Sequence, residues 1–298
     1  MASRSDVQKL ISSISREPFN YKLRKTLLPV YHTYILSYIF ENITFTAVLG
    51  FCSHKIGPNA SELNFCSNFY RCKPYPFGLL DYMRSLVAEL NHNISDDLLV
   101  TISKKLIICS EEAIMMIKAI IFNSNEVIDK LLNNQYPEDI DQENPDWDRF
   151  NKDTSEFASN VKKLGRSIKD FDDNIWFSYV SDVAIHILYQ KFTNITDHHK
   201  FISNDLNMIL VEASEYDNIW AIGKKNDNSI NQLEYTEWNG TNILGYSTLL
   251  IFLHLKGINP YANMTILELC NMVRISHNKI TKRLSMIPVP KESTLLSK

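Results

Sequence analysis

Apolar residues recur at helical spacing through most of this 298-residue chain, and only a few short runs have the β-branched character of strands. Residues 5–41 read as helical, opening on a capping pattern at Ser5 and Gln8. ITFTAVLGF at 43–51 is strand-like, HKIGPNASE at 54–62 is a loop, and LLDYMRSLVAELNHN at 79–93 is helical. LLVTISKKLIIC at 98–109 suits a hairpin turning near Ser103 and Lys104. Three further helices are expected, at Thr154 to Leu164, Asn174 to Phe192 and Asp197 to Met208. After them, ILVEA and IWAIG read as short strands, KKNDNSINQLEY as a solvated loop, and NILGYSTLLIFLHL as a helix starting just past Gly240. Many helices against few short strands predict a mainly α, α+β chain with a small β-sheet.

SEEAIMMIKAIIF at 110–122 is apolar on almost every face, which predicts a buried helix. Ser110 is placed to cap it, with Glu111 and Glu112 in the first turn, where the helix dipole favours anions. Glu111, Met115, Lys118 and Phe122 share one stripe, the two charged residues roughly 10 Å apart along the axis. Such a pair is too far apart for a simple ion pair but close enough to converge on one ligand. The plainer alternative is that Glu111 caps the helix while Lys118 carries its ammonium out to water. LVEASEYDNIWAIG at 210–223 and WNGTNILG at 238–245 likewise set polar groups amid apolar sequence, where uncompensated charge is costly.

Composition narrows the picture modestly. With 45% hydrophobic and 22% charged residues the chain has an ordinary globular make-up. A formal charge of −3 argues against coating nucleic acid by bulk electrostatics. Cys52, Cys66, Cys72, Cys109 and Cys270 are odd in number and lack CxxC spacing, so neither a disulfide framework nor a zinc site is indicated. A reducing, intracellular home is expected, cytoplasmic or nuclear, with no secretory leader. The apolar stretch from Leu27 to Phe51 is broken by Pro29, His32, Glu41 and Asn42, which argues against a membrane span. PEDIDQENPDWD at 137–148 reads as an exposed acidic insertion.

The order of the motifs resembles the NADAR family, also called YbiA-like. FCSNFY at 65–70 is similar to the family's SNF signature, and Glu111 stands seven residues before the Lys118-Ala119 pair, as an acidic residue does in the family. KLGRSIKDFDDNIW at 163–176 matches an LGR motif followed by a tryptophan, and Lys191-Phe192 matches a Lys-Phe pair. LVEASEYDNIWAIG and WNGTNILG resemble the closing blocks. The likeness runs from about residue 48 to 257, and it departs from the family at Glu112, where Gln or His is usual, and at Ala221, where glycine is expected.

The resemblance implies a multihelical fold with a small sheet and an N-glycosidase that splits a ribose C1–N bond; no cofactor and no metal are expected. It associates such enzymes with ADP-ribose on guanine bases and with ribosylamino intermediates of riboflavin synthesis; a non-catalytic module binding ADP-ribose or a related ligand is the alternative from another class. The partner would then be an ADP-ribosylated base in nucleic acid or a small ribosyl phosphate. Cleavage passes through a cation-like sugar, so a carboxylate beside C1 stabilises charge and activates water. Glu111 is the candidate for that role, and Lys118 for an amine that attacks C1, with Lys191 as an alternative. Asp217 and Glu212 are candidates to orient a hydroxyl or the leaving base, and Arg166 to hold phosphate. Trp176 and Trp220 offer stacking faces, Asn68 and Phe69 belong to the SNF signature, Gly240 and Gly245 allow close backbone approach, and Asn242 offers an amide. Each has a structural alternative: a core tryptophan, a turn asparagine, or a helix-end lysine.

By this reading residues 1–44 are an N-terminal helical extension, 45–257 the YbiA-like domain and 258–298 a basic helical tail. TILELCNMVRISHNKITKRL at 265–284 has some helix-turn-helix character, with Ser276 capping a helix that bears Lys279, Lys282 and Arg283, against the simpler expectation of a packing helix.

Overall fold

The computed structural model of the chain describes residue 28 and residues 31–141, 143–204, 206–225 and 235–273. Helices α1 (Leu80–Glu89), α2 (Asp96–Lys104), α3 (Ser110–Ile121), α4 (Asn125–Leu132), α5 (Trp147–Arg166), α6 (Asp173–Asn194), α7 (His199–Ile202) and α8 (Ile243–Leu255) form its framework. Strands β1 (Ala47–Phe51), β2 (Tyr75–Pro76), β3 (Leu106–Ile107) and β4 (Met208–Glu212) pair as β1 with β4 and β2 with β3. The fold is therefore mainly α with a small β component, divided between two two-stranded pairs. Among the described residues no helix is long and apolar enough to cross a membrane.

The chain divides into two units. The first comprises Met1–Gly50, Leu206–Leu249 and Leu267–Lys298; the second comprises Phe51–Asp205 and Leu250–Ile266.

In the second unit α3 is the central rod. All its residues except Lys118 are buried, and it packs against α1, α4, α5 and α6. Ser110 does not cap it: Cys109 holds the N-cap position in extended backbone and Ser110 is the first helical residue. The expected hairpin at 98–109 is instead α2 followed by β3. Ser95 Oγ accepts from the Leu98 amide, Asp96 and Asp97 fill the first turn, and Leu99 and Ile102 bury one face. That cap and the i, i+3 apolar spacing outweigh the β-branched content of LLVTI. Helix α5 begins at Trp147, seven residues before the expected start, because Asp146 caps it through the Arg149 amide. The acidic stretch at 137–141 is tied down by Arg71, which donates to the carbonyls of Pro137 and Glu138 and pairs with Asp139 at 2.8 Å. Of the helix expected from Asp197 to Met208 only the single turn α7 forms, and Met208 already belongs to β4.

In the first unit the chain at 31–39 is helical and ends in a π turn, Ile35–Ile39. Strand β1 is shorter than the expected 43–51, and IWAIG is not a strand. The IWAIG backbone is engaged elsewhere: the carbonyls of Asn218, Ile219, Trp220 and Ala221 accept from the amides of Thr241, Ile243, Leu244 and Asn242. These four amides open α8, so an irregular loop supplies the acceptors that a helix N-terminus lacks. The expected helices at 5–27 and beyond residue 273, including Ser276, Lys279, Lys282 and Arg283, lie outside the described residues.

Candidate active site

Asn68, Phe69, Glu111, Lys118, Arg166, Trp176 and Lys191 belong to the second unit, and Glu212, Asp217, Trp220, Gly240 and Asn242 to the first.

The second unit's group is built on α3 and α5. Glu111, 3% exposed, occupies the first turn of α3, and its amide donates to the Asn68 carbonyl at 3.0 Å. Two turns on, Lys118 is half-buried and its Nζ donates to the Gly165 carbonyl at 3.1 Å. Gly165 is required there, since a Cβ at this position would stand 1.9 Å from Met115 Sδ. The Lys118 ammonium also lies 4.2 Å from the Phe171 ring centre and 5.7 Å from that of buried Trp176. Burial pulls the Lys118 amine down to about 8; Glu111 and Asp173 act against that shift, while Arg166 and Lys162 add to it. An amine in this state is partly neutral near pH 7, which a nucleophilic lysine needs and a solvated one lacks.

The SNF segment is held from beneath. Lys191 is 0% exposed and donates to the Ser67 carbonyl at 2.8 Å, with its ammonium 5.7 Å from the Tyr70 ring centre. Burial lowers its pKa. Enclosed in this way, Lys191 fixes the backbone that presents Asn68 and Phe69. Ser67 Oγ accepts from the Phe69 amide at 3.2 Å. Asn68 is 5% exposed, and its Oδ1 has no hydrogen-bond partner among the described residues. This buried amide oxygen, beside the first turn of α3, is free to accept from a water or a ligand hydroxyl. Glu112 points to a different partner, Lys105, at 3.2 Å; burial pushes Glu112 up to about 7.

Arg166 is exposed in the last turn of α5, and Lys162 lies one turn before it with its ammonium 5.8 Å from the Phe69 ring centre. His54 packs on the same ring at 5.7 Å and hydrogen-bonds Ser155 of α5 at 2.7 Å. Lys162 and His54 are absent from the sequence-based candidates, although the i, i+4 spacing of Lys162 and Arg166 was a usable signal.

In the first unit the expected ligand residues are knitted into the backbone. Asp217 Oδ1 accepts from the amides of Ile219 at 3.1 Å and Trp220 at 2.9 Å, forming an Asx-type turn. Trp220 is buried. Asn242, with φ +53°, donates through Nδ2 to the Leu210 carbonyl at 2.9 Å and accepts through Oδ1 from the Glu212 amide at 3.1 Å. Its side-chain amide thus bonds the backbone of β4 on either side of Val211, as a neighbouring strand would. Glu212 is half-buried at the end of that strand, its carbonyl accepting from Ile222 at 2.9 Å. At Gly240 a Cβ would stand 2.1 Å from the Ala221 carbonyl, and at Gly245 2.1 Å from that of Leu210, so both glycines serve close backbone packing. His32 supports the loop: its ring reaches the Gly240 carbonyl at 3.0 Å and Tyr246 Oη at 2.9 Å. A carbonyl only accepts, so Nε2 carries the hydrogen and Nδ1 receives the Tyr246 hydroxyl. Burial depresses the His32 pKa to about 3.

Among the described residues no three His, Cys, Asp or Glu side chains gather as a metal site would require.

The model of the NADAR domain matches residues 68–250, a span that opens on Asn68 and contains every candidate residue through Asn242. The chain belongs to the NADAR family. It is also similar to a protein named as an N-glycosidase of Acanthamoeba polyphaga mimivirus, with 34% identity over 85 residues, 28% of this chain and 49% of that protein. The chain thus matches about half the length of this curated relative. The NADAR match leaves His32 and His54 outside it and takes in Lys162 and Gly165.

Proposed function

We propose that this NADAR protein is an N-glycosidase that cleaves a ribose C1–N bond, removing ADP-ribose from guanine bases of nucleic acid. The observation that carries the reading is the Lys118 amine, lowered to about 8, on the same stripe of α3 as buried Glu111. Glu111 stabilises the positive charge that develops at C1 as the bond to the base breaks. The neutral Lys118 amine attacks C1, the base departs with the bonding electrons and takes up a proton, and the new C1–Nζ adduct opens at the ring oxygen to a protonated imine. Water adds to that imine and releases the free sugar and the amine. Asn68 Oδ1 accepts from a ribose hydroxyl. The likeness to a relative named as an N-glycosidase supports the class of reaction. Asp217, Glu212, Trp220, Gly240 and Asn242 are proposed as binding residues on the resemblance, and the hydrogen bonds of Asp217 and Asn242 argue that these two act by shaping the backbone.

The test is release of ADP-ribose from guanine-ADP-ribosylated single-stranded DNA. Wild type is expected to release it, and Glu111→Gln to slow release by about a hundredfold or more, as loss of a preorganised charge does. Inert wild type on DNA together with turnover of ribosylamino pyrimidine phosphates would replace the substrate. Tight ADP-ribose binding with no turnover of any N-ribosyl compound would replace the enzyme by a binding module.

A further inference from the structure

Residues 167–172 join α5 to α6, and this connection closes over the end of the α3 stripe that bears Lys118. It is pinned at both ends. The Ser167 amide donates to the carbonyls of Lys163 and Leu164, and Ile168 is buried. At the other end Asp172 Oδ1 accepts from the Ile175 amide at 3.3 Å, in the first turn of α6. Between the pins Asp170 has φ +55°, a left-handed turn that aspartate tolerates, and Phe171 follows it. The Phe171 ring centre lies 4.2 Å from Lys118 Nζ and 4.9 Å from the ring centre of Phe122, the C-cap residue of α3.

Three surfaces thus meet at the Lys118 amine. The Gly165 carbonyl accepts from it at 3.1 Å, and Trp176, 3% exposed, is a buried wall 5.7 Å away. Phe171, 39% exposed, is the wall that meets water.

A ring in this place does two opposed things. Its π face attracts the ammonium, which at a half-exposed site favours the charged form by about two- to fivefold. Its bulk keeps water away, which disfavours the charged form. The amine sits at about 8 instead of 10.5, more than a hundredfold in proton affinity. Glu111 of α3 and Asp173 of α6 work against that lowering, and Arg166 and Lys162 of α5 add to it. Exclusion of water therefore outweighs the attraction of the ring.

We infer that Phe171 is a positioning residue for the proposed reaction, an apolar cap that keeps water off the Lys118 amine and so holds it ready to attack C1. The inference rests on the reading of Lys118 as nucleophile. It adds a residue that touches neither the sugar nor the base and acts through the lysine alone.

Acylation of Lys118 in the full chain without substrate, quantified on its peptide by mass spectrometry over a pH series, tests the cap apart from catalysis. Only the neutral amine reacts, so wild type should reach half its limiting rate near pH 8. Phe171→Ala should move that midpoint up by about one unit, because water then reaches the amine. With it, kcat/KM for ribosyl release at pH 7 should fall about tenfold and recover as the pH is raised. Phe171→Leu, which keeps the apolar cover and loses the π face, should stay at the wild-type midpoint or slightly below it, with activity retained. Unchanged melting temperatures separate these effects from misfolding. An unmoved midpoint in Phe171→Ala overturns the cap, and a fall in both variants does so too, since the ring would then be holding the charge in place. A midpoint that rises in Phe171→Ala without turnover of any N-ribosyl compound would confirm the cap on the amine and sink the glycosidase reading, so the two failures are told apart.

Discussion

The Nζ of Lys118 lies 3.1 Å from the carbonyl oxygen of Gly165, so the amine proposed as nucleophile is parked on the backbone of a neighbouring helix. A neutral amine still has hydrogens to donate to this carbonyl, more weakly than the ammonium does, so Lys118 can lose its proton and keep its position. With the amine lowered to about 8, kcat/KM for ribosyl release should rise about tenfold per unit between pH 6 and 7.5 and level off above about 8. A pH profile of wild type checks the slope, and borohydride added during turnover should trap the sugar on wild type but not on Lys118→Met. A flat profile with no trapped adduct would remove the amine from the chemistry and leave Glu111 with water.

The same contact depends on Gly165. Alanine is worth about 1 kcal/mol over glycine inside a helix, yet a Cβ here would meet Met115 Sδ at 1.9 Å and Cβ at 3.3 Å. Crowding that reaches the root of the neighbouring side chain wins, and Gly165→Ala is expected to cost about 1–3 kcal/mol in urea unfolding. In a Met115→Ala background the Sδ and Cγ clashes are gone and only the 3.3 Å approach to Cβ remains, so most of the cost of the same substitution should disappear. A cost that persists there would place the constraint in the backbone and not in Met115.

Much of this was legible in advance, for identifiable reasons. The buried helix carrying Glu111 and Lys118 was readable because both its apolar run and its acidic first turn are local features. The 98–109 segment misled because its β-branched residues were weighed without the cap at Ser95, three positions upstream. IWAIG misled in another way: its carbonyls bond the opening amides of α8, some twenty residues later, and no local pattern encodes that. The enclosure of Lys191 under Ser67 and of Asn242's amide on β4 has the same origin. Residue type announced a polar group in apolar sequence, and only the fold decided whether it faced a ligand or the chain itself.

His32 ties the segment before β1 to the Gly240 loop. Its folded pKa is about 3 against 6.5 for a free imidazole, so between those values the unfolded chain binds the extra proton. The stability it supports is present above pH 6.5 and is lost as the pH falls, by up to about 1.4 kcal/mol per unit. His32→Phe would leave the Gly240 carbonyl and the Tyr246 hydroxyl unpaired and should cost about 1–3 kcal/mol at pH 7.5. That penalty should shrink on acidification toward pH 5, because only wild type carries the titrating ring. Unfolding of the two proteins in urea at a series of pH values reads the difference, and a constant gap would mean that His32 is protonated in place.

Glu112 titrates with the opposite sign. Burial raises its carboxyl to about 7 from 4.5, and the pairing with Lys105 at 3.2 Å recovers only part of the lost solvation. The folded chain binds the extra proton between pH 4.5 and 7, so the stability this group contributes is complete below 4.5 and is lost as the pH rises through 7. Gln or His is what the resemblance leads one to expect at this position, and Glu112→Gln keeps the shape without the charge. The stability of wild type relative to Glu112→Gln should therefore fall by up to about 1.4 kcal/mol per unit from pH 5 to 7 and stay level above that. A gap that does not change over this range would show Glu112 ionised throughout, with Lys105 outweighing burial. The departure from the family pattern would then be a settled ion pair and not a buried acid.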